Sequence, residues 1–322
     1  MGVDPLFQET VAARLEAIEE ALMESAKADT PYVTNAASHL LRAGGKRFRP
    51  LLVVLASSVL PGADQDRVDR AAIVMELTHV ASLYHDDVMD DADIRRGVPS
   101  ANRQWDNTVA ILVGDYLFSR ASSTVATLGT EYVKLQADTF ARLVQGQIAE
   151  TVGPGPDDDA LEHHLNVIAD KTGSLIAASA IFGGMVCDAP QEIVDALGRF
   201  GEEIGIVFQL SDDLIDITSD TSGKVPGTDL REGVPTMVTL KVLASQDPAD
   251  ARIRDLVSRP LTDEAEVSEA LATLRQHPLL EETRQEIKRR AEVARSYLAP
   301  IPEGDAKTSL MLLCDQVVNR SS

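Results

Sequence analysis

Aromatic side chains are scarce in this chain of 322 residues, which has 4% Phe, Trp and Tyr and a single Trp. β-Sandwich and barrel cores draw on aromatic and β-branched side chains fitted to a pleated surface, so the shortage counts against both. Cysteine is nearly absent. Cys187 and Cys314 lie in apolar surroundings with no metal-type spacing, which fits buried free thiols in a reducing compartment and leaves no disulfide framework. Cations are few, 30 Lys and Arg against 51 Asp and Glu, giving a net charge of −21 and a pI near 4.6. Nucleic-acid binding needs a basic face, and electrostatic docking on an anionic membrane needs basic clusters. Neither is available. No apolar run approaches the ~20 residues of a membrane span; the nearest, LLVVLASSVL from Leu51 to Leu60, is short and stops at Pro61. The N-terminus is acidic, without a basic-then-apolar leader, so a cytoplasmic protein is expected.

Alternating apolar runs bounded by hairpin turns are missing as well, so strands are not needed. What remains is helix. Phe7 to Ala28 is amphipathic, with Val11, Leu15, Ile18 and Leu22 on one face. Helical periodicity continues through 33–43, 49–60, 66–91, 106–127, 131–150, 161–170, 172–187 and 190–219. It resumes over 236–245, 249–258, 265–276, 279–297 and 306–320. The breaks are short turns such as GGKRFRP, RRGVPS, VGPGPDDD and SGKVPGTDLREGVP, none of which has the character of a linker. The expectation is one all-α domain over 1–322, with a peripheral helical subregion from about 247 to 322.

Within that frame one pattern occurs twice. DDVMD places Asp86, Asp87 and Asp90 at the end of one apolar stretch, and DDLID places Asp212, Asp213 and Asp216 at the end of another. Residues three and four apart share a helix face, so each triad crowds three carboxylates together near a helix C-terminus, where the macrodipole already disfavours anions. A solvated acidic face is the ordinary explanation of one such cluster. Two of them, each following a nearly continuous apolar run, call for bound cations instead.

The scarce basic residues are also concentrated. Lys46, Arg47 and Arg49 fall in a turn opened by Gly44 and Gly45; Arg95 and Arg96 follow the first acidic motif; Lys171 precedes Thr172 and Gly173; Lys224 follows the second motif. Glycine-opened turns, arginine forks and lysine point charges suit phosphate. Taken singly, each is more simply a surface turn or helix cap. Combined with hard-cation carboxylates they imply a ligand that binds Mg²⁺ and carries further negative charge, such as a diphosphate. Neither a GxxxxGKS/T loop nor a GxGxxG after a strand is present, which disfavours nucleotide chemistry on those scaffolds.

These segments resemble the trans-isoprenyl diphosphate synthases (polyprenyl synthetases) through nearly the whole chain: GGKRFRP, LYHDDVMDDADIRRG, GDYLF at Gly114–Phe118, KTG at Lys171, FQLSDDLID, and GTDLREG. The closest likeness is to the bacterial medium- and long-chain members. The resemblance implies a bundle of long antiparallel helices around a deep central cavity, in a homodimer, with the two acidic motifs facing each other across the cavity mouth. It implies about three Mg²⁺ per site, with Asp86, Asp90 and Asp212 as direct ligands and Asp87, Asp213 and Asp216 acting partly through metal-bound water. Arg95, Lys171, Thr172, Gln209 and Lys224 would hold the diphosphate of an allylic substrate. Lys46, Arg49, His79 and Arg96 would hold isopentenyl diphosphate. Ionisation of the allylic diphosphate, attack by the isopentenyl double bond and loss of a proton then need no protein nucleophile. One departure is Val234, where family members often have Lys after the Glu-Gly of DLREG.

Product length would be read on the helix below the first motif. Ala81 and Ser82 lie one turn deeper, with Thr78, Leu77 and Val74 below. In the family that the chain resembles, bulky aromatics at this first level block the growing product, so the small Ala81 and Ser82 imply an open floor and a medium- or long-chain product, such as a quinone side chain, released at a membrane that the chain itself does not span. Geranylgeranyl diphosphate is the alternative, since a blocking residue could come from 106–127 or 131–150. A class I terpene cyclase is disfavoured by the second DDxxD and the few aromatics, and a non-catalytic synthase subunit by two intact motifs. His85 is expected to orient a carboxylate, and His163, His164 and His277 to lie at the surface.

Overall fold

A computed structural model describes residues 2–218 and 226–320. Helices α1 (Pro5–Ser25), α2 (Pro31–Ala37), α3 (His39–Arg42), α4 (Phe48–Ser57), α5 (Gln65–Met89), α6 (Ala101–Gln104), α7 (Asn107–Ala126) and α8 (Thr130–Val152) come first. Then follow α9 (Ala160–Ile168), α10 (Ser174–Val186), α11 (Gln191–Thr218), α12 (Thr228–Glu232), α13 (Met237–Ala244), α14 (Ala251–Val257), α15 (Glu264–Gln276), α16 (Pro278–Tyr297) and α17 (Asp305–Asn319). The expected all-α fold is borne out. One small correction concerns strands: β1 (Ile94–Arg95) and β2 (Val98–Pro99) form an antiparallel ribbon, with Ile94 opposite Pro99 and Arg95 opposite Val98. Two-residue strands are too short to show an alternating pattern in sequence. The stretch read as 33–43 is broken at Ser38 into α2 and α3.

The chain divides into two compact units. The first comprises Met1–Ala141, Leu175–Gly198 and Pro300–Leu310. Its centre is α5, capped by the Asp64 carboxylate on the Asp66 and Arg67 N–H groups and packed on α7, α4 and α1. Leu77, Val80, Ala81 and Tyr84 of α5 are fully buried, and each large aliphatic side chain so placed contributes about 1.5–3 kcal/mol. With few aromatics to fill space, the helices approach closely. A Cβ on Gly114 of α7 would sit 2.3 Å from the His85 ring and 3.2 Å from the Ala81 carbonyl oxygen.

The second unit comprises Arg142–Ser174, Arg199–Ala299 and Met311–Ser322. In it α13 packs on α9, α14 and α16. Between α9 and α10 the chain makes a π-turn at Ala169–Gly173, over the KTG segment. Gly146 accommodates this turn, since a Cβ there would lie 2.8 Å from both the Asp170 Cβ and the Lys171 nitrogen. A further correction concerns apolar length. Through this turn the helical stretch Ala160–Val186 is long and apolar enough to cross a membrane, but 67% of its apolar window is buried inside the protein.

Candidate active site in two acidic motifs

The first motif sits where α5 stops. Asp90 is the C-cap, Asp91 takes the left-handed conformation (φ 48°), and the Ala92 N–H donates back to the Asp87 carbonyl at 3.0 Å. That closure satisfies an end carbonyl and fixes the motif at the helix terminus. The three carboxylates differ sharply. Asp87 is fully buried and accepts from Arg95 Nε at 2.6 Å, leaving its Oδ2 buried without a partner. Asp90 is half-exposed, 3.9 Å from Arg95 Nη2. Asp86, partly exposed, points from the same terminal turn.

Beside it, the cations of the GGKRFRP and RRG turns surround a residue that the sequence reading passed over. Glu76 of α5, 2% exposed, accepts from Arg47 Nη1 at 3.0 Å and lies 3.6 Å from Arg96 Nη2. Arg47 also grips Glu19 and the Leu41 carbonyl, so it builds the turn. Arg96 donates to the Leu40 carbonyl at 2.8 Å. Arg49 is half-buried, with a buried Nε lacking a partner, and desolvation lowers its pKa to about 10. Burial and the nearby Arg49, Arg96, Arg47 and Arg95 push His79 well below the usual imidazole range, so it is neutral at pH 7. Lys46 is exposed. Gly45, at φ 150°, lets the chain pass the Arg96 guanidinium, which would meet a Cβ at 3.0 Å. The result is a cluster of several guanidinium groups, with the buried Glu76 carboxylate offsetting their repulsion. A charged residue inside an apolar helical run is the signal that could have exposed Glu76.

His85 Nε2 lies 3.4 Å from the Asp115 carboxylate of α7 and 3.1 Å from the Ile111 carbonyl. Phe118 packs against His85 and against Phe140 of α8, with centroids 5.7 and 4.3 Å apart. Below, Ser82 donates to the His79 carbonyl, and Ala81 and Leu77 are fully buried. Thr78 accepts from Gln136 Nε2 of α8 at 3.2 Å, both residues being buried. These α8 contacts place the helix whose position sequence could not fix.

The second motif lies in α11. Asp213, buried, accepts from Gln209 Nε2 at 3.1 Å, and Gln209 in turn lies 3.4 Å from the Thr172 hydroxyl. Asp213 Oδ2 is unpartnered and 3.7 Å from the buried His164 Nε2, which is also unpartnered. His164 is therefore not a surface residue. Nor is His277 a free one: it caps α16 through the Leu279 N–H and contacts Asp250 at 3.0 Å. His163 is half-buried, 3.2 Å from the Ala149 carbonyl. Asp216 accepts from the Thr228 and Asp229 N–H groups, both at 3.1 Å, and so anchors the start of α12. Asp212 pairs with Arg320 Nη2 at 2.7 Å. Lys171 donates to Glu150 at 2.6 Å, and Arg142 ties Asp170 to Glu202. Val234 is exposed, its N–H donating to the Asp229 carbonyl. Lys224 lies outside the described residues.

Both motifs suit a hard divalent ion. The donors are all carboxylate oxygens, and Asp87 and Asp213 each hold one buried oxygen with unspent capacity. Among the described residues no three His, Cys, Asp or Glu side chains form a ready cluster. Mg²⁺ does not need one, because it usually takes one or two carboxylates plus waters and phosphate oxygens.

Comparison with known proteins agrees with this chemistry. Residues 30–274 match the family model for polyprenyl synthetase. The chain is 45% identical to nonaprenyl diphosphate synthase of Mycobacterium tuberculosis, covering 98% of this chain and 95% of that one. It is 41% identical to the crystal structure of geranylgeranyl pyrophosphate synthase from Corynebacterium glutamicum, complexed with calcium and isoprenyl diphosphate, at a TM-score of 0.89 over 99% of this chain and 98% of that one. A decaprenyl diphosphate synthase structure from Rhodobacter capsulatus matches at 31% identity and TM-score 0.87, over 98% of both chains.

Proposed function

Because the chain belongs to the polyprenyl synthetase family and is a prenyltransferase, we propose that it condenses isopentenyl diphosphate with an allylic prenyl diphosphate to give a medium- or long-chain all-trans polyprenyl diphosphate. The observation that carries this reading is the pair of acidic motifs, each with a buried aspartate oxygen left unpartnered and each near basic or polar side chains suited to phosphate. Asp86, Asp90 and Asp212 would take Mg²⁺ directly, with Asp87, Asp213 and Asp216 holding its waters. Bound Mg²⁺ supplies charge that stabilises the departing diphosphate.

Arg95, Lys171, Thr172, Gln209 and Lys224 orient the allylic diphosphate, and Lys46, Arg49, His79 and Arg96 the isopentenyl diphosphate. Donors placed before charge develops need no rearrangement during reaction. The allylic C–O bond breaks with its electron pair leaving on diphosphate. The isopentenyl double bond attacks the allylic cation, and the proton released as the new double bond forms goes to the departed diphosphate. Buried aliphatic side chains keep water from the cation. His79, neutral at pH 7, adds a hydrogen bond without adding positive charge to a crowded cation site. A homodimer in the cytoplasm belongs to the same reading.

Nonaprenyl, octaprenyl and heptaprenyl synthases among the relatives favour a long product, while the Corynebacterium structure keeps geranylgeranyl diphosphate as the second reading. Incubation with Mg²⁺, farnesyl or geranylgeranyl diphosphate and labelled isopentenyl diphosphate, followed by sizing of the dephosphorylated products, tests both. The expected result is elongation beyond the C20 alcohol that a chelator abolishes. No Mg²⁺-dependent elongation would overturn the proposal, and products ending at C20 would overturn only the length.

A further inference from the structure

Arg320, just beyond the end of α17, reaches the second acidic motif in a way that neither its sequence position nor the family's motifs suggested. Its Nη2 donates to Asp212 Oδ1 at 2.7 Å, and its guanidinium carbon lies 4.6 Å from the centre of the Phe208 ring. Phe208 and Asp212 are one turn apart on α11, so a single guanidinium spans both. The side chain is 26% exposed, and its Nη1 is buried with no hydrogen-bond partner. A buried guanidinium donor without an acceptor is costly and marks a place where an anion fits.

The neighbouring charges give this contact a direction. Asp213 is held by neutral Gln209, and Asp216 by two backbone N–H groups. Of the three motif carboxylates, Asp212 is the one paired with Arg320, and it is also the residue assigned above as a direct metal ligand. A divalent ion taking that oxygen must displace Arg320. Stacking on Phe208 would keep the released guanidinium beside the motif, with its fork turned to a diphosphate oxygen.

We propose that Arg320 is a built-in counter-cation of the second motif, holding Asp212 until a metal ion enters and then passing to the incoming diphosphate. This rests on the reading of Asp212 as a metal ligand. It predicts opposite effects of one substitution. Arg320→Gln removes this counter-cation from Asp212, so the chain should bind Mg²⁺ alone about fivefold more tightly, the scale of one partly exposed charge pair. The same variant loses a diphosphate contact, so Mg²⁺ with inorganic diphosphate should bind it about fivefold more weakly.

Both affinities can be read by titration calorimetry on the full chain, without turnover. Arg295→Gln, which removes an equal charge paired with Asp315 in the same unit, is the control, and circular dichroism verifies that each variant is folded. Arg320→Lys should restore the weaker Mg²⁺ binding but only part of the diphosphate affinity. Shifts of the same sign in both titrations, no shift, or equal shifts in Arg295→Gln would overturn the proposal while leaving Asp212 a ligand. If the unaltered chain bound no Mg²⁺ even with diphosphate, the metal reading would fall and this proposal with it.

Discussion

The two acidic motifs share a five-residue pattern and solve the same electrostatic problem with different materials. On α5 the buried aspartate, Asp87, is neutralised by a cation, Arg95, from the ribbon that follows. On α11 its counterpart, Asp213, rests on neutral Gln209, and the cation, Arg320, goes to the first aspartate instead. The third position differs too: Asp90 ends its helix half-exposed, whereas Asp216 anchors the start of another helix. Equal spacing thus fixes which oxygens share a face and leaves open what balances them. The first motif is locked by a salt bridge at its buried aspartate; in the second a neutral hydrogen bond meets the buried aspartate and the cation sits on the first one.

The largest effects should fall where the motifs are alike. Asp86→Ala and Asp212→Ala should each lower turnover by at least ~100-fold, the scale of losing one transition-state stabiliser, while circular dichroism stays unchanged. Activity surviving in either variant would remove that motif from the metal assignment. Where the motifs differ, stability should separate them. Asp87→Asn leaves Arg95 without its buried counter-charge and should cost about 2–3 kcal/mol in urea unfolding. Asp213→Asn keeps an acceptor for Gln209 and should cost less than about 1 kcal/mol. Equal losses would mean that the contrast in counter-charge has no energetic weight.

Much of this was legible beforehand. The helices followed from 3.6-residue periodicity, and the motif carboxylates from their crowding at helix ends. The partners were not legible, because they arrive from distant sequence. Arg320 lies 108 residues from Asp212, and Gln136 lies 58 from Thr78. Glu76 stood out as a charge inside an apolar run, but its partners Arg47 and Arg96 lie 29 and 20 residues away along the chain, and the π-turn at Ala169–Gly173 shares its composition with an ordinary helix. His164 is buried while its neighbour His163 is not, and His277 caps α16 half-buried; a histidine's sequence neighbours alone do not distinguish these cases.

The positions below the first motif divide in a way that sequence did not. Ala81 is packed against α7 near Gly114, while Ser82 is slightly exposed and donates only to its own helix. Ser82→Phe should therefore leave a folded enzyme with shorter products. Ala81→Phe should instead overpack the α5–α7 contact and destabilise by about 1–3 kcal/mol. Product sizing and urea melts distinguish them; shortened products from a fully stable Ala81→Phe enzyme would reverse the assignment.

The smallest effect tests the surroundings of the first motif through pH. His79 faces Arg49, Arg96, Arg47 and Arg95, and burial with those charges holds its folded pKa well below 6.5. Above pH ~6.5 it is neutral in both folded and unfolded chains and contributes no pH dependence. As pH falls below that value the unfolded chain takes up a proton that the folded chain refuses, so stability declines, by up to about 1.4 kcal/mol per pH unit for one group. Gln209, which meets the buried aspartate of the second motif, has no titrating group and adds no such slope. His79→Gln should accordingly flatten part of the loss of unfolding free energy between pH ~6.5 and 5. Superimposable curves for the two proteins would show that His79 accepts its proton in the folded state, and that the arginines around it are better balanced by Glu76 than the geometry indicates.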